Sequence, residues 1–375
     1  MKKIAFAGTF DPITNGHLWV IKEALNIAEE VVVIIAVNNT KKPLFDEATR
    51  QIMIEQAIKT LPNHQKITVK ILKNEYVAQA AIVNFGCDYL IRGIRSALDF
   101  DYETLIQKTN TDILLGAKTI FVMPPRDLES VSSSFVKALV GPVGWHWNIQ
   151  ELVPEFVYRY WVQKYIKEVA LKFCQDPKIM DFVTEITDFY NSEGRFYHNM
   201  EHLAHCMQEL EWLSLNTSQS AEDLKKLCIA LLGHDVIYGE NMEGHSDEEL
   251  SAEWTQSWAI NKELLSQEEA QDVKELIEKT QYLSKSITLD TEVEKLMCSI
   301  DLAVLGKNKK VYDQYKSNIR KEYQQVPEEV YNAGRIKALK KLLTMPRLYE
   351  SESFEHYELI ARKNLQDEIS QLSIS

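Results

Sequence analysis

Apolar residues run almost unbroken through KIAFAG (3–8) and VVVIIAV (31–37), and the stretch between them, from Gly16 to about Glu29, reads as a helix. Strands apolar on both sides and separated by helices mark a parallel sheet, because each crossover lays a helix over the strands it joins. KITVKIL (66–72), CDYLIRG (87–93) and AKTIFVM (117–123) supply three further strands. The first part of the chain is thus expected to be an α/β domain with a five-stranded parallel sheet. After Pro142 the run GPVGWHWNIQELVPEF is rich in turn residues and aromatics, and from about Val157 the pattern becomes helical. LKKLCIALLGHD (224–235) and DVKELIEKTQYL (272–283) repeat apolar residues at three-to-four spacing with no strand-like alternation. The second part is therefore expected to be an all-α bundle. The boundary falls within 145–165, giving domains 1–160 and 161–375, and no internal repeat or low-complexity tract is present.

A length of 375 residues exceeds what one hydrophobic core usually supports, which fits two domains. With 45% hydrophobic and 26% charged residues the composition is that of a globular protein, and no apolar stretch is long enough to span a bilayer. The opening MKKIAFAGTF reaches Asp11 too early to hold a signal-peptide core, so a cytoplasmic protein with no membrane association is expected. Cys87, Cys174, Cys206, Cys228 and Cys298 lie far apart without a CxxC pair, which predicts buried reduced thiols. A formal net charge of −13 argues against broad nucleic-acid binding, since phosphate backbones are held by clustered Lys and Arg.

The segment AFAGTFDPITNGH (5–17) leads from a strand through a Gly-Thr-Phe-Asp-Pro turn to Thr14-Asn15-Gly16-His17 at the start of a helix. Glycine admits close approach of backbone to phosphate, and a helix N-terminus offers free N–H groups to an anion. A histidine there can donate to a phosphoryl oxygen as negative charge develops. Taken alone, a GTF turn is read as well as a β-turn before a capped helix.

The whole string GTFDPITNGH resembles the signature of the nucleotidyltransferase superfamily in the form found in phosphopantetheine adenylyltransferases. Three further stretches extend the resemblance in the same order over residues 1–160. Lys41-Lys42-Pro43-Leu44-Phe45 resembles the family's lysine loop, Ile91-Arg92-Gly93-Ile94-Arg95 with Asp99-Phe100-Asp101-Tyr102-Glu103 its RGxR…DFxYE stretch, and Ser132-Ser133-Ser134-Phe135-Val136-Lys137 its ISSSxVK motif. Ala7 stands where many relatives carry proline. The resemblance implies a Rossmann-like nucleotidyltransferase that moves AMP from ATP to 4′-phosphopantetheine with Mg²⁺, and a homo-oligomer. It implies that Thr9, Phe10 and His17 hold ATP, that His17 stabilises the pentacovalent state, and that Lys41 and Arg92 clamp the attacking phosphate. Arg95 and Glu103 would contact nucleotide groups, and Ser132 and Ser133 terminal phosphate oxygens.

In the helical part, Arg195-Phe196-Tyr197-His198-Asn199-Met200-Glu201-His202 sets two histidines four residues apart, and His234-Asp235 and Asp301 follow. Imidazole and carboxylate groups from several helices of a bundle form a familiar metal site that can activate water. A lone histidine is more often a hydrogen-bonded structural residue; the H…HD…D order is what raises the metal reading. Residues from about 165 to 370 resemble HD-superfamily phosphohydrolases marked by RxYHNxxH, and the YHNxxH string is similar to that of cyclic-nucleotide phosphodiesterases. The resemblance implies that His202, His234, Asp235 and Asp301 bind a divalent transition metal such as Mn, Fe, Ni or Co. His198 would protonate the leaving oxygen. Relatives tend to carry a further histidine near Thr280, whereas this chain reads Thr280-Gln281-Tyr282-Leu283, and Glu249 is a further acidic candidate. A competing reading keeps nucleotidyl transfer with a different phosphate acceptor and makes the helical part a regulatory module.

Overall fold

The computed structural model describes residues 2–37, 42–113, 118–239, 244–283 and 287–373, and divides into two compact units, Met1–Trp161 and Val162–Ser375. In the first unit the apolar runs become β1 (Lys3–Gly8) and β2 (Glu30–Val37), followed by β3 (Ile67–Lys73), β4 (Tyr89–Gly93) and β5 (Lys118–Val122). All neighbours pair in parallel, in the order β3-β2-β1-β4-β5. Ile4, Ala5, Val31, Val33 and Ile35 are wholly buried because the inner strands are covered on both faces, whereas β3 and β5 at the edges are largely half-exposed. The crossovers are made by α1 (Asn15–Ile27), α2 (Glu47–Ile58), α3 (Val77–Val83) and α4 (Ala97–Ile113). Ala78, Ala80 and Ala81 of α3 pack against Ala5, Val32, Ile34 and Leu90 of the sheet. The order of strands reverses beside β1, with β2 on one side and β4 on the other. At such a point adjacent crossovers leave in opposite directions and open a crevice at the carboxyl ends of the strands.

After β5 the unit continues through α5 (Ser133–Ala138) and α6 (Trp145–Ile149) into α7 (Glu155–Cys174), the helix that contains the division between the units. The second unit then comprises α8 (Lys178–Tyr190), α9 (Met200–Asn216), α10 (Ala221–Gly233), α11 (Asp247–Asn261), α12 (Gln267–Lys279), α13 (Glu292–Asp301), α14 (Lys309–Glu322), α15 (Glu328–Thr344) and α16 (Glu355–Leu372). Serine or threonine at the N-caps of α10 to α13 accepts a backbone N–H, and in α11, α12 and α13 a glutamate at N3 closes a capping box. Glu249 is one of these: it accepts from the Ser246 backbone at 3.0 Å, which makes it a capping residue of α11. Leu227 to Gly233 are all buried, so α10 runs through the middle of the bundle and delivers His234 at its end.

Gly233 has no room for a side chain: a Cβ there would lie 2.2 Å from Thr255 Oγ1. Gly233→Ala is therefore expected to destabilise the protein by about 1–3 kcal/mol through overpacking, read as a lower midpoint of urea unfolding. All five cysteines are buried and free, as their spacing predicts. Among the described residues, no helix is long and apolar enough to cross a membrane.

Candidate functional site

The crevice at the reversal of strand order holds a cavity of about 290 Å³. Its walls come from the end of β1 (Phe6 to Thr9), the start of α1 (Gly16, His17, Val20), the end of β4 (Arg92, Gly93, Arg95), Glu103 of α4 and Ser132 to Ser134 at the start of α5. A Cβ on Gly16 would approach the Val131 carbonyl to 3.1 Å, so glycine lets α1 come close to the segment that begins α5.

The histidine is fixed by its own helix cap. Thr14 is the N-cap of α1, and its backbone N–H donates to His17 Nδ1 at 3.0 Å while its hydroxyl accepts from the His17 backbone. An Nδ1 that accepts a hydrogen bond is unprotonated, so the neutral ring carries its proton on Nε2. Burial, and next the charge of Arg95, lower the imidazole pKa to about 4. His17 is therefore a neutral donor in one tautomer, lining the cavity.

The cations around it are held by specific partners. Arg92 donates to the Ala7 carbonyl at 2.7 Å and lies 3.4 Å from Glu103, and Arg95 pairs with Asp99 at 3.0 Å. Ser132 caps α5 by accepting from Phe135, while the Ser133 hydroxyl donates to the Pro12 carbonyl at 2.7 Å. Thr9, His17, Arg92, Arg95, Glu103, Ser132 and Ser133 all line the one cavity. The Phe10 ring instead is 1% exposed and packs edge-on against Phe6 and His17, so it supports the imidazole from below. Lys41 lies outside the described residues.

One contributor lay inside a motif but had no evident role. Asp11, 5% exposed, accepts from the Leu44 and Phe45 backbone and from Lys137 Nζ at 2.8 Å. Burial raises its carboxyl pKa, but Lys137 and the two amides bring it below the usual range. This carboxylate ties together the first motif, the loop after residue 41 and α5.

In the second unit His202 and His234 are 3% and 2% exposed, with their Nε2 atoms 3.1 Å apart. Asp301 Oδ1 lies 3.3 Å from His202 Nε2 and 3.5 Å from His234 Nε2; Asp235 Oδ2 lies 3.7 and 3.1 Å away. His202 comes from the first turn of α9, His234 and Asp235 follow α10, and Asp301 ends α13. His234 Nδ1 donates to the Leu231 carbonyl at 2.7 Å, which turns Nε2 toward the cluster. Ligand bonds of about 2.1 Å place neighbouring donors roughly 3 Å apart, so His202, His234 and Asp301 could together hold a single divalent cation, with Asp235 adjoining His234. Burial opposes charge on both carboxyls, yet the neighbouring imidazoles hold Asp235 and Asp301 well below the carboxylate range.

His198 stands beside this cluster, its ring 6.1 Å from that of His202 and stacked on Tyr238 at 4.2 Å. Its Nδ1 meets Glu322 Oε2 at 2.8 Å, and the other Glu322 oxygen accepts from the backbone of Phe196, Tyr197 and His198. Burial works against protonation of His198, but Glu322, with the carboxylates of Asp235 and Asp301, raises its pKa above the ordinary value. Arg195 donates to the carbonyls of Asp235 at 2.6 Å and Val236 at 2.8 Å, which ties the histidine loop to the His-Asp turn. Glu322 carries no sequence signal: it lies in α14, 124 residues from His198, among lysines and glutamates that read as solvated surface.

Comparison with known proteins bears on the first unit. A family described as cytidylyltransferase-like matches residues 5–139. Phosphopantetheine adenylyltransferase of Chromobacterium violaceum is 36% identical over 168 residues, 45% of this chain and 100% of that protein. The enzyme of that name from Neisseria meningitidis serogroup C is 39% identical over 158 residues, 42% of this chain and 90% of its own length. Among solved structures, Plasmodium falciparum nicotinic acid mononucleotide adenylyltransferase complexed with NaAD is 21% identical with a TM-score of 0.34, covering 44% of this chain and 96% of that one. A likeness that loose carries no argument about function. With a match at 36% identity that spans the whole of the Chromobacterium enzyme, the chain belongs through its α/β unit to the phosphopantetheine adenylyltransferase family.

Proposed function

We propose that the chain is a bifunctional enzyme. The α/β unit transfers AMP from ATP to 4′-phosphopantetheine, releasing pyrophosphate and giving dephospho-CoA. The helical unit is an HD-type metal-dependent phosphohydrolase. The observation that carries the first assignment is the fixed tautomer of His17 in a crevice walled by Thr9, Arg92, Arg95 and three serines. In this reaction a phosphate oxygen of the acceptor attacks the α-phosphorus of ATP and the bond to the β-phosphate breaks. The chain supplies alignment and charge neutralisation. His17 Nε2–H donates to the α-phosphate oxygen as charge grows there, Arg92 and Lys41 hold the attacking phosphate, and Ser132, with Thr9, steadies the triphosphate. Mg²⁺ would neutralise part of the triphosphate charge. The assay is direct: with ATP, 4′-phosphopantetheine and Mg²⁺ the protein forms dephospho-CoA and pyrophosphate. If none forms while a phosphopantetheine adenylyltransferase works in the same assay, the acceptor is wrong.

The second assignment rests on His202, His234 and Asp301, from three separate elements, meeting within a few ångströms, with Asp235 beside His234. His202, His234, Asp235 and Asp301 would hold a divalent ion such as Mn, Fe, Ni or Co, which supplies acidification of a water and neutralisation of phosphoryl charge. His198, with Nδ1 engaged by Glu322, keeps Nε2 for proton donation to the departing oxygen of a phosphate ester. His198→Asn is expected to lower hydrolysis of a responsive ester by about 10²–10⁴ while leaving bound metal unchanged. Metal analysis with a phosphatase and phosphodiesterase panel on the full chain checks both parts. Metal lost along with activity would move His198 into the ligand set.

A further inference from the structure

Glu209 lies about two turns further along α9 than His202, and its side chain is 0% exposed. Three donors reach its carboxylate. Lys307 Nζ bonds Oε1, Tyr357 OH donates to Oε1 at 3.0 Å, and His205 Nε2 lies 3.1 Å from the same oxygen. Lys307 is only 11% exposed, also bonds the Tyr357 hydroxyl, and sits 4.1 Å over the Tyr357 ring. Lys307 directly follows the short 3-10 helix Leu302–Gly306, which itself continues from Asp301. That 3-10 helix is fastened elsewhere too. Tyr349 OH donates to the Leu302 carbonyl at 3.1 Å, and Asn364 Nδ2 donates to the carbonyls of Leu305 and Lys307, each at 2.9 Å. A Cβ on Gly306 would come within 2.3 Å of Tyr357 Cβ, so the segment packs closely on α16.

A buried ion pair contributes little net stability over apolar side chains of similar volume, because desolvation offsets the attraction. What it supplies is direction: a carboxylate accepting three hydrogen bonds fixes the distance and register of the elements that donate to it. Here those elements include the segment that carries Asp301, and the acceptor stands on the helix that carries His202. Apolar packing tolerates slips of an ångström, whereas metal ligands must hold their places within about half an ångström.

We infer that the buried Glu209–Lys307–Tyr357 network positions Asp301 against His202, and so sets the metal affinity of the helical unit without touching the ion. The inference rests on the metal-centre reading above.

The test is Mn²⁺ binding to the full chain without nucleotide, followed by electron paramagnetic resonance. Glu209→Gln with Lys307→Met removes both charges together and leaves no buried unpaired ion. It is expected to keep the circular dichroism spectrum and cooperative melting while weakening Mn²⁺ binding about tenfold or more. Lys307→Arg, which restores a cationic donor, should recover most of the affinity in the Glu209 background. Should the double variant not fold, Tyr357→Phe decides, since it deletes one oxygen at nearly constant volume: a loss of about threefold or more supports positioning. A folded double variant that binds Mn²⁺ within twofold of the unaltered chain overturns the inference and leaves the metal centre intact, as does an unchanged affinity in Tyr357→Phe. An unaltered chain that binds no Mn²⁺, Fe²⁺, Ni²⁺ or Co²⁺ overturns the metal-centre reading and the inference with it.

Discussion

Replacing His17 with alanine is expected to lower kcat for adenylyl transfer by about 10²–10³, or roughly 3–4 kcal/mol of transition-state stabilisation. The Michaelis constant for ATP should change far less, because Thr9, Arg95 and Ser132 remain on the crevice wall. The expectation follows from where the ring proton is. Thr14 donates to Nδ1, which leaves Nε2–H as the donating edge, and the same capping box sets the ring at the mouth of α1. The preorganised donor costs nothing to reorient when charge appears on the α-phosphate. A second consequence concerns pH. With the imidazole pKa lowered to about 4, protonation of His17 sets in only as pH falls toward that value. The rate should therefore show no inflection from His17 between about pH 5.5 and 8, whereas a histidine at its ordinary value would titrate near 6.5. A His17→Ala enzyme within threefold of the unaltered one, or an ionisation near 6.5 abolished by that substitution, would remove His17 from the role given to it.

Much of this arrangement is legible before any coordinates. The apolar runs at 3–8 and 31–37 become inner strands since only residues buried on both faces can do without polar alternation, and the Gly-Thr-Phe-Asp-Pro turn after β1 marks where a helix start meets a strand end. The H…HD…D order likewise names His202, His234 and Asp301, which the fold brings together, and Asp235, which lies beside His234. What escaped is of two kinds. Phe10 belongs to the motif, yet its ring turns inward, because a left-handed backbone with φ of 47° directs it under His17. Glu322 and Glu209 escaped for the opposite reason. Each is a glutamate in a helix with no local pattern that marks it, and only the packing of segments distant in sequence buries it against His198 or Lys307. Local periodicity records which face of a helix is apolar. It does not record which lone carboxylate will meet a partner brought from a segment distant in sequence.

Asp301→Ala should strip the helical unit of its metal and lower phosphoester hydrolysis by about 10³ or more, since a catalytic cation supplies several kcal/mol of transition-state stabilisation. Asp301 is the carboxylate positioned between the two imidazoles, 3.3 and 3.5 Å from their Nε2 atoms. Without it the two nitrogens retain Asp235 as their nearest anionic partner, and one carboxylate with two neutral imidazoles binds a divalent ion more weakly than two do. Asp301→Asn separates charge from shape: it keeps an oxygen donor and so should retain more metal than alanine, though less than the unaltered chain. Adenylyl transfer by the same preparation supplies the internal control and should remain within about twofold, because no residue of that crevice is altered. Metal content by mass spectrometry and ester hydrolysis, measured together, decide the outcome. If Asp301→Ala keeps its full metal complement, the ion sits elsewhere; if metal is lost while hydrolysis persists, the chemistry does not pass through this cluster, and the helical unit is better read as a binding module.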